Sequence, residues 1–511
     1  MSRPLALAAA LAFALCGLYP IAVMAARVGP ADLAGLLDAR TLALLGRTLG
    51  YGLSVALLAL ALGGPFGFLV ARTDMPAARL LRPLGIVPLF LPPMLIAMTW
   101  TVLLDLRGAL VAIGISALST FPLVALFTAR AFERIDGRLE DAARLWGGLR
   151  AVLRADLGLV APPALCGACL AFAFTVNDFS VPDYVSWVGP KFNVYADEVF
   201  AAWKIDSQPG RAVALALPLV ALTLLTLLPA LALRRRGAMA SLDSDFRGPQ
   251  PLRLGPWRWP AALFCGLLLA AGCAVPLLRL IYEAGGGSRG FAPARWSGAF
   301  SRALELARGD LQNSLLYALA AATLALPLGL VLGHALERAR RGRYLEPLAL
   351  LPIAVPAVLF GIGMIAAWNR PGLERFYDGG GLVVLLLVGR FVAFPVLLIA
   401  GAVAMLDPAL EDAARLAGAA PARRLLSIVA PPLRTALLGS WVLVFVLSLR
   451  ELDATILVPA ANHTAMFRVF NAVHFGRDDF VAALALMLVF LILLPGTLWA
   501  LFARRRLEVL P

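Results

Sequence analysis

The chain has 511 residues, of which 61% are hydrophobic and only 15% charged. Soluble proteins average about 25% charged residues, so this chain cannot cover a water-exposed surface of its size, and lipid is its expected solvent. The formal net charge of +14 comes almost wholly from Arg, with Lys only at Lys191 and Lys204. The arginines lie between apolar runs and not in one tract, which argues against nucleic-acid binding and fits control of membrane topology by positive charge.

A helix needs about 20 apolar residues to cross the hydrocarbon core. Charge-free runs of that kind occupy residues 4–26, 48–71, 83–104, 108–129, 212–233, 259–278, 347–369 and 480–502. Less clean runs lie near 160–176, 311–336, 379–406 (interrupted by Arg390) and 435–449. Open backbone is not tolerated in lipid, so the expected fold is an all-α membrane protein of about twelve transmembrane helices. The first run follows Arg3 and ends near Ala-Val-Met-Ala-Ala, as a signal peptide does, but its length favours a retained anchor.

Alternate loops concentrate arginine: Arg72, Arg79 and Arg82; Arg130, Arg134, Arg138, Arg144, Arg150 and Arg154; Arg234, Arg235 and Arg236; Arg338, Arg340, Arg341 and Arg343; Arg415, Arg423 and Arg424; Arg504, Arg505 and Arg506. The positive-inside rule puts these loops and both termini in the cytoplasm. The cysteines Cys16, Cys166, Cys169, Cys265 and Cys273 all fall in apolar runs. Even the Cys166-x-x-Cys169 pair reads as two buried thiols in membrane surroundings, not as a redox or zinc pair. Among the histidines His334, His463 and His474, none has a ligand-like partner at close spacing, and no metal site is expected.

The chain repeats itself. Thr48 to Arg72 matches Ser314 to Arg338 at equal length, and Pro88-x-x-x-Pro92 matches Pro352-x-x-x-Pro356. Phe121-Pro122 matches Phe394-Pro395, and Val160-Ala-Pro-Pro163 matches Val429-Ala-Pro-Pro432. Each half has six expected spans, so the two copies are tandem and parallel. Residues 1–236 form the first expected domain, 237–258 a cytoplasmic linker and 259–511 the second.

Both halves carry the segment Leu-Glu-Asp-Ala-Ala-Arg-Leu in an inner loop. The first copy includes Glu140, Asp141, Ala142, Ala143 and then Gly147; the second includes Glu411, Asp412, Ala413, Ala414 and then Gly418. Two alanines give a flat helix face of good propensity. The acidic pair suits a helix start and can meet basic groups on a partner. The glycine permits a sharp turn after the helix. Such a knob can pass a partner's motion to the membrane helices.

The segment resembles the EAA signature of bacterial ABC importer permeases, with Asp412 in the acidic place and Ala430 in the leucine place. The first copy departs further, through Trp146, Gly148 and prolines set two residues later. Over nearly its whole length the chain is similar to fused permeases of the ferric iron subfamily, whose relatives include thiamine, phosphonate and polyamine permeases. Asn177-Asp178-Phe179-x-x-Pro182 and Ser448-Leu449-Arg450-Glu451-Leu452 are local echoes of that group. The resemblance implies a type I importer fold in a bacterial inner membrane, with two cytoplasmic ATPase subunits seated on the EAA loops. It also implies a periplasmic binding protein that delivers a small solute, with ferric iron the first expectation.

No G-x-x-x-x-G-K-[ST] phosphate loop is present, so ATP and Mg are expected on the partner ATPase and no cofactor on this chain. Ionisable groups within spans are costly and often functional. Asp178 and Glu451 can therefore face a translocation path, or Glu451 can pair with Arg390 or Arg450 to fix helix positions. An ion-gradient-driven secondary transporter would also show two six-span repeats but leaves the two matched loops unexplained.

Overall fold

Where apolar side chains leave the backbone no water to bond, the helix satisfies every internal N–H and C=O, and the chain follows that rule. The structure is a computed structural model that describes residues 3–34, 36, 38–105, 107–204, 208–237, 247–287, 290–339, 342, 346–473, 475 and 478–507. Among the described residues, eight helices are long and apolar enough to cross a membrane: Pro4–Ala25, Ala39–Arg72, Ala109–Glu133, Gly137–Asn177, Gly210–Leu231, Gly255–Ala284, Pro293–Arg338 and Asp479–Thr497. Four bent pairs bring the total to 12 if each counts as one span.

The bends have identifiable causes. Ala78–Phe90 and Pro93–Leu104 meet at 92°, and Glu346–Ala354 and Ala357–Trp368 at 99°. The breaks fall at Pro92 and Pro356, the second prolines of the matched Pro-x-x-x-Pro pairs. Proline removes an amide donor and pushes the preceding residue out of the helical region. A third bend of 92° separates Pro421–Val429 from Arg434–Arg450, at the Pro431-Pro432 pair. The matching Pro162-Pro163 does not break its helix, which runs on past both prolines to Asn177 after the kink at Gly147 and Gly148, so here the halves differ.

Close packing divides the chain into two units. One comprises Met1–Ala34, Val199–Ala216 and Ile281–Pro511; the other comprises Gly35–Glu198 and Leu217–Leu280. These packing units differ from the sequence repeats at the first helix of each half and at Val199–Ala216. In the first unit, residues 3–25 pack on Pro293–Arg338, Ala357–Trp368 and Gly381–Phe391. In the second, Arg258–Leu269 and the π turn Ala270–Ala274 pack on Ala78–Leu84, Val87–Phe90 and Ala109–Glu133.

The two exchanged helices use the same device. Each carries a π turn, Ala14–Leu18 or Ala270–Ala274. A Cβ on Gly17 would come within 3.1 Å of the Pro352 ring, and one on Gly272 within 3.1 Å of Pro88. Those prolines are equivalents in the repeat, so glycine there permits one helix to seat on the other.

Candidate functional site

The repeated acidic segment forms a short helix in each half. Asp136 caps the first, its Oδ1 accepting from the Arg138 amide at 3.0 Å; Asp407 caps the second, accepting from Ala409 N at 2.9 Å. A side-chain acceptor at this position satisfies one of the four orphan amides of a helix start. The second helix, Pro408–Leu416, also has proline at its first position, where the missing N–H costs nothing.

This helix ends in a Schellman turn. Gly418 N donates to Arg415 O at 3.0 Å and Ala419 N to Ala414 O at 3.0 Å. Gly418 takes φ +78°, and a Cβ added to it would meet nothing within 4 Å, so the left-handed backbone, and not lack of space, selects glycine. In the first half the chain leaves the helix at Gly147 (φ −166°) and Gly148 (φ 62°, ψ −154°). Gly147, the position read from the motif, is extended. The left-handed turn falls on its neighbour Gly148, in a region that glycine alone occupies readily.

The glutamates point inward. Glu140 is buried against the guanidinium of Arg72, itself 1% exposed, and Asp156 stands 3.9 Å from Arg72 Nε. Glu411 Oε1 accepts from Arg338 Nε at 2.9 Å, while its Oε2 lies 2.7 Å from His334 Nε2. Arg338 also donates to the Leu406 carbonyl at 2.8 Å. Arg72 and Arg338 are the matched last residues of the membrane helices Ala39–Arg72 and Pro293–Arg338. In both halves, then, the glutamate ties its short helix to the end of a span. The reading of both acids as groups for a partner is corrected for the glutamates: Glu140 is buried and needs its counter-charge within the chain, and the half-buried Glu411 is already engaged by Arg338 and His334.

The aspartates do face outward. Asp141 and Asp412 are exposed and pair one turn on with Arg144 at 3.6 Å and Arg415 at 3.0 Å. Ala142 and Ala413 are exposed, while Ala143 and Ala414 are half-buried. Beside them stand bare apolar side chains: Leu145 is 90%, Trp146 92% and Leu416 89% exposed. Each helix thus presents an apolar tip ringed by charge.

Burial pushes the Glu411 carboxyl up, but the bonds from His334 and Arg338 outweigh it and hold the group below the ordinary carboxylate range.

Residues 247–254 of the expected linker lie against the first half. Leu252 N donates to Arg72 O at 2.8 Å, Asp74 N to Leu252 O at 3.1 Å, and Gly137 N to Arg247 O at 2.8 Å. Arg247 also stands 3.6 Å from Asp141. Residues 238–246 lie outside the described residues, as do His474, Arg340, Arg341 and Arg343.

The two candidate path residues have local duties. Asp178 Oδ1 accepts from Ser180 Oγ at 2.7 Å and Ser180 N at 3.2 Å, at the start of the helix Ser180–Val188. Glu451 Oε2 lies 3.6 Å from Arg390 Nε, and its Oε1 accepts from Ala454 N at 2.9 Å. Arg390 donates in turn to the Val355 carbonyl at 3.2 Å, the group that the Pro356 break leaves without a helical partner. This is the interhelical pairing expected for Glu451. Among the described residues no group of three or more His, Cys, Asp or Glu side chains is placed to hold a metal ion.

Sequence reasoning missed Arg72, Arg338, His334 and the capping aspartates. The arginines had a signal: both close an equal-length repeat with the same charged residue.

The pattern of binding-protein-dependent transport system inner membrane components matches residues 63–236 and again 325–508. A molybdenum transport system permease protein of Mycobacterium tuberculosis is 31% identical over 178 residues, covering 32% of this chain and 67% of the relative. A putrescine transport system permease protein of Escherichia coli is 28% identical over 270 residues, 50% of this chain and 93% of the relative. A putative ferric transport system permease protein of Haemophilus influenzae is 29% identical over 164 residues, 32% of this chain and 26% of the relative. With the pattern present once in each half, the chain belongs to the family of binding-protein-dependent transport system inner membrane components, as a fused pair of ABC importer permease domains.

Proposed function

We propose that the two short helices at Glu140 and Glu411 are the seats of two ATP-hydrolysing subunits, and that each drives its half through the glutamate–arginine tie. The observation that supports this reading is the pairing of an exposed apolar tip with an ionic root, buried in the first half and half-buried in the second. The tip can enter a groove on a partner, and the root joins the helix to the last residue of a membrane span. A rigid connection of this kind transmits a displacement instead of absorbing it. ATP and Mg belong to the partner, and a periplasmic binding protein supplies the solute. Both termini and both seats lie in the cytoplasm, following the arginine-rich loops.

For the cargo we carry forward ferric iron. The similarity to a permease named for ferric transport supports it. Relatives named for molybdenum, putrescine and 2-aminoethylphosphonate define the competing cargoes. Identifying the solute captured by the partner binding protein separates them.

The mechanism is tested by co-purification and energetics. The chain should bring down an ATPase, and uptake in vesicles should require ATP and survive collapse of the proton gradient. Uptake that follows the gradient and ignores ATP would make the chain a secondary transporter. For Glu451, a Glu451→Gln variant with normal uptake removes any path role and leaves the ion pair as its duty.

A further inference from the structure

The helix Ala39–Arg72 has 34 residues, roughly 51 Å at 1.5 Å per residue, against a hydrocarbon core of about 30 Å. Its Arg72 end lies at the buried tie to Glu140, so its first turns stand proud of the opposite membrane face. There Arg40, Ala43, Leu44 and Arg47 share one stripe, and Lys191 and Asn193 complete an open groove of about 360 Å³. Arg40 is balanced by Glu198 at 3.1 Å. Arg47 and Lys191 have no ion-pair partner among the described residues.

The second half provides an internal control. In both halves a hydroxyl at the equivalent helix position anchors the next outer helix: Tyr195 N donates to Thr48 Oγ1 at 2.8 Å, and Ala465 N to Ser314 Oγ at 2.8 Å. Beyond that shared anchor the halves part. In the second, Asn313 replaces Arg47 and donates to the carbonyls of Ala461 (3.3 Å) and His463 (3.2 Å), and Arg468 meets Asp310 at 2.7 Å. At those positions the polar groups are satisfied by the chain itself. The first half instead keeps two uncompensated cations around an open space.

Below the groove, the exposed face of the same helix runs from Arg47 through Gly50 to Leu53, Leu57 and Leu58, all uncovered by the chain. A cationic notch directly above a bare leucine face matches an amphiphile with an anionic head. We propose that this groove binds an anionic phospholipid, its phosphate held by Arg47 and Lys191 and its acyl chains lying along Leu53, Leu57 and Leu58. The site rests on the membrane character of the chain alone, and not on the ATPase, the cargo or the sidedness.

The test uses the full-length protein in neutral detergent, titrated with short-chain phosphatidylglycerol while its melting temperature is followed. Phosphatidylglycerol should raise it saturably and phosphatidylcholine should not. The double variant Arg47→Ala/Lys191→Ala should need roughly thirtyfold more lipid, about five- to sixfold for each cation lost. The exposed Arg308→Ala should respond as the wild type does. The proposal is overturned if inorganic phosphate alone gives the same shift, which would mark a free-oxyanion site. It is equally overturned if the double variant responds like the wild type, or if Arg308→Ala weakens the response as much. A double variant that keeps its lipid response but loses capture of the solute-binding protein would assign the groove to that protein.

Discussion

At the scale of single residues, the decisive contacts are the two carboxylate–guanidinium ties. Arg72 and Glu140 are both buried, whereas Glu411 and Arg338 are partly open to solvent. Removing one partner of a buried pair strands the other charge and costs about 3–5 kcal/mol. Losing a charge-assisted bond at a partly exposed site costs about 1–3 kcal/mol. Glu140→Ala should therefore lower the melting temperature more than Glu411→Ala, with Arg72→Met as damaging as Glu140→Ala. The second tie also has a pH signature. An acid held below its ordinary range contributes stability above the unfolded pKa and loses it as pH falls through the folded value. The gap in melting temperature between wild type and Glu411→Gln should accordingly be open at neutral pH and close on acidification below the ordinary Glu range. A gap that stays constant with pH would show that Glu411 acts through packing and not through charge.

At the scale of elements, each short acidic helix depends on how it stops. Gly418 and Gly148 hold positive φ with open space around them, so a side chain meets backbone strain of about 1–2 kcal/mol and no clash. Gly418→Val should leave the fold intact but turn the helix end, so that ATPase activity persists while uptake falls. In the first half Gly148→Ala should do more harm than Gly147→Ala, because only Gly148 is left-handed. Equal effects would mean that the doublet works as a flexible pair. The same elements show how far the sequence could be read. Helix content and the repeat were legible because a membrane span writes itself as an uninterrupted apolar run, and because Pro88/Pro92 and Pro352/Pro356 recur in register. The right-angle bends were not, although those prolines mark them, since hydropathy counts residues and ignores direction. The glutamates were found but turned outward, because a loop charge and its partner at the end of a distant helix share no local pattern. The exchange of first helices was likewise hidden: Gly17 against Pro352 and Gly272 against Pro88 are contacts between segments that periodicity treats as independent.

At the scale of the whole molecule, fusion of the two permease domains puts one short acidic helix of each kind in every chain. Their tips are not equal: the first offers Leu145 and Trp146, the second Leu416 alone. Burying an exposed apolar side chain is worth about 1.5–3 kcal/mol, with the larger ring toward the upper end, so the first seat should bind its ATPase more tightly. If the proposed ATPase subunits contact one another and engage both tips, they bind as a linked pair, and the second engagement then gains from high effective concentration. Trp146→Asp and Leu416→Asp should each weaken co-purification of the ATPase, Trp146→Asp more so, and only the double variant should abolish it. None of the three should shift the melting temperature, since these side chains touch almost nothing in the chain itself. That separation of binding from stability is what distinguishes a docking tip from a structural residue. Retention of the ATPase by the double variant would place the contact on the exposed Asp141–Arg144 and Asp412–Arg415 rims, and the apolar tips would need another partner.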